Sequence, residues 1–390
     1  MVVAVTVTTI AGAQAPASPS AASAGQAPPE TLLSQAVKAE RDLRFDLATD
    51  RLYELIIEHP DTHDAVLARL RLARLLALAG HLEPAILECQ AVRNESAGDA
   101  ALGNQALELA TTLVRRLRAT SPAGYFRTFE AVAARGVQSI DEPRTVVFES
   151  DGRFLMLDQG AARLYRVGLE AATQLPVPQE PSAVTVLPNG TVAIAGKTGV
   201  ATGPVPRVVA FSGNWGGKAR QAKKVRSMAA LSTGDVLVID RDYDGALRCQ
   251  LDTGTCAPWG PVGKYRTVKV GASDWVYLLD DRGQTVRVLD PSARPITVVG
   301  PIAGTARFEK VEDIAVDLAH GLYLLDTKLK RVHIITLRAA PDGTVSAMAT
   351  GSADVPQEGD RTVKNPTAIG VAPGGSLVIA GRSPRIMRFR

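Results

Sequence analysis

The run Asp240-Arg241-Asp242-Tyr243-Asp244-Gly245 puts a carboxylate at every second position around a glycine turn. Calcium loops use that arrangement, since a hard cation wants several oxygen ligands from one tight bend. Asp240, Asp242 and Asp244 are therefore candidate calcium ligands. The twelfth position of an EF-hand loop would be Leu251, which cannot supply the closing bidentate carboxylate. A solvated hairpin turn is the competing reading. Nearby, Cys249 and Cys256 flank the turn in CQLDTGTC and can face each other across a hairpin, a candidate disulfide in an oxidising compartment. Cys89 sits in a helical pattern as a small core residue.

Four other charged residues sit near the starts of apolar strands: Arg144, Arg266, Glu312 and Asp313. Strands arranged around an axis would bring them to one channel, where paired carboxylates can exchange protons. Strand ends also carry charge routinely. A basic run, Lys218, Arg220, Lys223, Lys224 and Arg226, follows Trp215; it combines the charge and stacking surface of a nucleic-acid site, or forms a solvated loop. Past residue 141 the histidines are His320 and His333, too few for a three-histidine zinc centre. The chain has no G-x-S-x-G elbow, phosphate loop or zincin helix. Nothing nominates a catalytic nucleophile or an organic cofactor.

The elements that carry these residues repeat. Beyond Asp141 the hydrophobic period is two, and a unit of apolar strand, tight turn, very apolar strand, turn and third strand recurs six times. The first turns are Asp151-Gly152, Asn189-Gly190, Thr233-Gly234, Ser273-Asp274, His320-Gly321 and Gly374-Gly375, mostly pairs suited to positive φ. The second strands are FLMLD, TVAIA, VLVID, VYLLD, LYLLD and SLVIA, near-continuous apolar runs that need burial on both faces. Third strands read Arg163-Leu164-x-x-Val167, Arg207-Val208-x-x-Phe211, Arg331-Val332-x-x-Ile335 and Arg385-Ile386-x-x-Phe389. This pattern resembles the NHL repeat, which implies a six-bladed all-β propeller over 141–390. Asp158, Asp240, Asp280 and Asp326 occupy the repeat's strand-end aspartate, with Ala195 and Ala380 as departures. The chain stops after the third strand of the last unit, and an open edge invites pairing. The segment Tyr125–Val132, within the connector 121–140, is the expected closing strand.

Between residues 30 and 120 the apolar spacing changes to three and four, with breaks near Pro60, Gly80 and Gly98, predicting short helices in hairpins. Asp64-Ala65, Leu67, Ala68 and Leu72 recur as Asp99-Ala100, Leu102, Gly103 and Leu107, 35 residues on. Gly80-His81-Leu82-Glu83-Pro84-Ala85-Ile86 resembles the turn of tetratricopeptide repeats. The fold class expected is thus multidomain: a tetratricopeptide-like helical repeat followed by a propeller.

Residues 1–29 carry no charge. An apolar stretch ending in Ala13-Gln14-Ala15 reads as a signal peptide over 1–15, and PASPSAASAGQAPP over 16–29 as a disordered linker. No later segment is long and apolar enough to span a bilayer. Formal net charge is +4, too small to imply nucleic acid as partner. Together these readings predict an exported protein, periplasmic or extracellular, that binds a protein or peptide and is not an enzyme. The competing reading is a metal-dependent hydrolase or lyase with its site in the axial channel.

Overall fold

The computed structural model describes residues 27–96, 98–118, 129–132, 137, 140–168, 171–203, 207–301, 307–356, 363–382 and 386–389. The signal-peptide reading over 1–15 lies outside them. Five helices open the described chain: α1 (Pro29–Arg41), α2 (Phe45–Glu58), α3 (His63–Ala79), α4 (Leu82–Glu95) and α5 (Ala100–Arg118). Each packs on the next, and α3 also touches α1 and α5. Local signals set the ends of α3. The Thr62 hydroxyl accepts the Ala65 N–H at the start, and Gly80 ends the helix at φ 91°, where a β-carbon would strike the Arg338 guanidinium. None of the described helices is long and apolar enough to cross a membrane.

The remainder is a β-propeller. A short strand, β1 (Phe129–Val132), precedes it. The first sheet is β2 (Pro143–Phe148), β3 (Phe154–Asp158), β4 (Arg163–Val167) and β5 (Ala172–Leu175). The second is β6 (Ala183–Val186), β7 (Val192–Gly196), β8 (Gly199–Thr202) and β9 (Arg207–Val209). The third adds a hairpin, β10 (Ser212–Trp215) and β11 (Lys218–Gln221), to β12 (Val225–Ala230), β13 (Val236–Asp240), β14 (Ala246–Cys249) and β15 (Thr255–Trp259). The fourth is β16 (Tyr265–Val270), β17 (Val276–Asp280), β18 (Val286–Leu289) and β19 (Pro295–Val299). The fifth is β20 (Val311–Val316), β21 (Gly321–Asp326), β22 (Arg331–Ala339) and β23 (Val345–Asp354). The last is β24 (Pro366–Val371), β25 (Leu377–Gly381) and β26 (Ile386–Phe389), with β1 as its outer strand, antiparallel to β26 from Phe129↔Phe389 to Val132↔Ile386. The first strands β2, β6, β12, β16, β20 and β24 each touch two others, and these contacts close a ring. Second strands are buried along nearly their whole length, as apolar runs stacked between sheets must be.

Two details of the repeat differ from the sequence expectation. The Arg207-Val208 pattern belongs to the fourth strand of its sheet, because the chain turns back two residues after β7 and Gly199–Thr202 forms the third. In the two departing sheets, the position of the strand-end aspartate is held by Gly196 and Gly381, one residue beyond Ala195 and Ala380. The incoming chain comes too close there for a side chain: a β-carbon would lie 2.7 Å from the Gln179 carbonyl oxygen at Gly196 and 2.4 Å from the Lys364 carbonyl oxygen at Gly381.

The helices sit on the end of the ring where first strands finish. Leu32, Phe45, Leu72 and Leu75 share one core with Trp275 of the β16–β17 turn and with Tyr277, Leu322 and Leu337 of the fourth and fifth sheets. Polar contacts fasten the same face. Thr112 donates to the Pro373 carbonyl (3.1 Å), Arg116 to the Ala319 carbonyl (3.0 Å) and Arg294 to Asp42 (3.3 Å). The opposite end of the ring, where first strands begin, is free of described helical residues and carries the site below.

Candidate functional site

One irregularity recurs at the beginning of the first strands. In five sheets the register with the second strand slips by one residue, between Pro143 and Thr145, Val225 and Ser227, Tyr265 and Thr267, Val311 and Asp313, and Pro366 and Ala368. The skipped residues are Arg144, Arg226, Arg266, Glu312 and Thr367. A bulge leaves its extra residue out of the ladder and re-aims its side chain. All five line one cavity at the axis, and Ser182, just ahead of β6, completes the circuit from the sheet without a bulge. The cavity is about 30 Å³, room for a few waters or one small charged group.

The repeat's aspartates position this ring. Asp158 lies opposite Pro143, the residue before a bulge, and its carboxylate accepts the N–H groups of Asp141 and Glu142 at 3.0 and 2.8 Å. Asp326 lies opposite Val311 and accepts Glu309 N–H at 2.7 Å; burial pushes its carboxyl up, but the neighbouring His333 and the N–H groups of Leu329, Glu309 and Lys310 outweigh it and hold the carboxyl below the usual range. Asp240, opposite Val225, accepts Lys224 N–H at 2.9 Å. Asp280 serves its own turn instead, accepting Gln284 N–H at 2.7 Å. The aspartates therefore tie the chain down just before it bulges toward the axis.

At the mouth, guanidinium groups outnumber carboxylates. Arg144, Arg226, Arg241 and Arg266 face Glu312 and Asp313. Arg266 donates to Glu312 (2.8 Å) and to the Val311 and Asp281 carbonyls, but its Nε is buried without a partner among the described residues. Arg226 is held by Asp281 and Arg144 by Glu142 and Gln159. Arg241 is exposed. Asp313 is buried, accepts the N–H groups of Ile314 (2.9 Å) and Ile369 (3.1 Å), and lies 3.7 Å from the Lys269 ammonium. Burial raises its carboxyl above the usual range, with Lys269 opposing.

Arg144, Arg266, Glu312 and Asp313, marked by sequence as axial candidates, thus share one cavity. Arg226 and Arg241 were missed; the signal was their place beside the start of a first strand and the end of a second one. The calcium candidates do not converge. Both oxygens of Asp240 are engaged by main-chain N–H groups, those of Lys224 and Asp242; Asp242 pairs with the Lys224 ammonium at 3.1 Å, and Asp244 is exposed. Among the described residues no three metal-ligating side chains gather. Cys249 and Cys256 are joined in a disulfide across the β14–β15 hairpin. Of the basic run, Lys218 and Arg220 lie on the exposed strand β11, Lys223 and Lys224 in the segment after it and Arg226 in β12 at the axial cavity, while Trp215 is buried against Tyr243 and offers no face for a base.

His320 and His333 stand away from the mouth. His333 is buried beside Asp326, and its Nε2 has no hydrogen-bond partner among the described residues. His320 packs on the Trp275 indole (4.2 Å between rings) under the helices and meets the Tyr277 hydroxyl at 3.1 Å.

No family model and no curated protein matches the chain. Solved structures do resemble it. One is a Bacteroides thetaiotaomicron protein of unknown function, 13% identical, covering 67% of this chain and 75% of that one with a TM-score of 0.48. Another is a streptogramin B lyase, 11% identical over 67% of this chain and 97% of that one, TM-score 0.46. A third is the calcium-binding protein regucalcin from Agrobacterium tumefaciens, 11% identical over 68% and 93%, TM-score 0.48.

Proposed function

We propose that the protein is an exported, non-catalytic binding protein: a six-bladed, NHL-type propeller with tetratricopeptide-like helices, whose axial mouth holds an acidic side chain or chain terminus of a protein or peptide partner. The observation that carries this reading is the ring of four arginines around a cavity of about 30 Å³, where Arg144, Arg226 and Arg266 pair with Glu142, Asp281 and Glu312 and Arg241 stands exposed with no ion pair among the described residues. A carboxylate suits that mouth in charge and size, and guanidinium groups bind it through paired, charge-assisted hydrogen bonds. The six sheets and the successive packing of five helices support the finer architecture. The Cys249–Cys256 disulfide supports an oxidising compartment.

The test is fluorescence anisotropy with an acidic peptide, with and without a free terminal carboxylate. Binding that weakens with salt and in an R226Q/R241Q double variant is expected. Binding indifferent to both changes would refute the reading. One observation favours the alternative of metal-dependent hydrolysis or elimination: the buried, protonation-prone Asp313 lies in the same mouth. The surrounding guanidinium groups repel a divalent ion. Stoichiometric metal in the purified protein, lost in D313N, would reverse the preference.

A further inference from the structure

A second cavity, of about 260 Å³, lies between the helices and the propeller. Val37 and Glu40 of α1 and Arg71 and Arg74 of α3 form one side of it, and Ser273 and Trp275 of the β16–β17 turn form the other. Its carboxylates are already engaged. Glu40, nearly buried, takes the Arg71 guanidinium at 3.0 Å and the Ser273 hydroxyl. Asp274 accepts the N–H and hydroxyl of Ser232.

Arg74 is not engaged. No hydrogen bond or ion pair reaches its guanidinium from the described residues, and its Nε is shut off from solvent without an acceptor. Burial pulls it below its usual pKa, with Glu40 opposing. An arginine stays charged even so; Arg74 is half-buried as a whole, with its Nε left inside the protein without an acceptor among the described residues, and leaving such a donor unpaired is costly. The helix α3 packs through its apolar residues and leaves Arg74 at the cavity, with Glu40 the nearby opposite charge. The Trp275 indole, packed between Phe45 and His320, and Val37 give the same cavity apolar walls.

We infer that this interdomain cavity is a binding site for a small organic carboxylate, its charged group on the Arg74 guanidinium and its apolar body between Val37 and Trp275. The site is independent of the axial mouth, which lies at the other end of the ring. Because its walls belong to both parts of the chain, occupancy clamps the helices to the propeller. The ligand class is a monocarboxylate with a compact apolar portion, which a cavity of about 260 Å³ suits.

Calorimetric titration of the full chain with benzoate, propionate and inorganic phosphate tests the assignment, together with thermal unfolding. Saturable benzoate binding that raises the melting temperature is expected, with phosphate weaker. R74Q should weaken benzoate about tenfold or more, the loss of one charge-assisted hydrogen bond. V37W, which fills the cavity and leaves Arg74 intact, should abolish binding and decides the matter if R74Q fails to fold. The R226Q/R241Q mouth variant should retain it. Absence of benzoate binding, preference for phosphate, survival of binding in V37W, or its loss only in the mouth variant would each overturn the inference.

Discussion

Arg116 on α5 grips both carboxylate oxygens of Asp317, at 2.8 and 2.7 Å, across the boundary between helices and propeller. The pair is almost wholly out of water, with side chains 7% and 0% exposed. Asp317 also accepts the N–H groups of Ala319 and Gly321 and the Tyr323 hydroxyl, which organises the β20–β21 turn. Removing one partner of such a pair strands the other charge in a low-dielectric setting. R116M should therefore destabilise the protein by about 3–5 kcal/mol in denaturant unfolding. D317N in the R116M background should add much less than it does alone, because no charge then remains to strand. Additive losses would mean that the two residues are not coupled.

The neighbouring His320 makes stability depend on pH. Burial lowers its imidazole from 6.5 to about 3, with Asp317 opposing and Arg74 and Arg116 reinforcing. The unfolded chain binds a proton below 6.5 that the folded chain refuses, so this residue removes about 1.4 kcal/mol per pH unit as pH falls from 6.5 toward 3. Glu108 on α5 acts with the opposite sign. Burial raises its carboxyl from 4.5 to about 7, so its contribution to stability fades as pH rises through that window. Between 4.5 and 6.5 the two slopes offset. H320N, whose asparagine tolerates the φ of 58° at this turn, should unmask a decline in stability with rising pH, and E108Q a decline with falling pH. Melting temperatures across pH 4.5–6.5 that keep one slope in wild type and both variants would contradict this.

Much of this was readable in the sequence because repeats expose roles. Asp158, Asp240 and Asp326 recur at strand ends and tie down incoming chain, so a repeated structural duty outweighed the metal-like spacing around Asp240. Arg144, Arg266 and Glu312 announced themselves by standing at strand starts. Arg226 did not, because it closes a run of basic residues and charge runs usually face water. Arg74 was invisible for a different reason. On a helix, three residues after Arg71, it reads as part of a solvated face, and only the docking of the turn at Ser273 and Trp275 encloses it. The second sheet was misread because its third strand begins only two residues after β7, too short a turn for the pattern used elsewhere.

At the mouth, Glu312 restrains the arginine that a ligand would use. Its carboxylate holds Arg266 at 2.8 Å, with the Lys310 ammonium 3.9 Å away. E312Q should remove that ion pair, leaving Arg266 on the Val311 and Asp281 carbonyls, and raise the local positive potential. An acidic peptide should then bind roughly tenfold tighter, with a steeper salt dependence. Weaker binding in E312Q would show that Glu312 orients Arg266 for the ligand instead of competing with it.

Ring closure is the remaining dependence, and the pairing of β1 with β26 makes it testable without removing the helices. In an antiparallel ladder, opposed residues alternate between positions that exchange both hydrogen bonds and positions that exchange none. Glu130 lies opposite Arg388 and Ala131 opposite Met387, so one of the two donates its N–H to β26 and the other points its N–H away. Proline at the donating position deletes a ladder bond, while proline at its neighbour on an edge strand is tolerated. E130P and A131P should thus differ sharply: one should lower the unfolding midpoint and expose β26 to intermolecular pairing, seen as aggregation at rising concentration, and the other should behave nearly as wild type. If β1 merely lay beside the propeller, the two substitutions would be equally harmless. If the strand mattered only as a tether to the helices, they would be equally damaging. Only a hydrogen-bonded closing strand separates them.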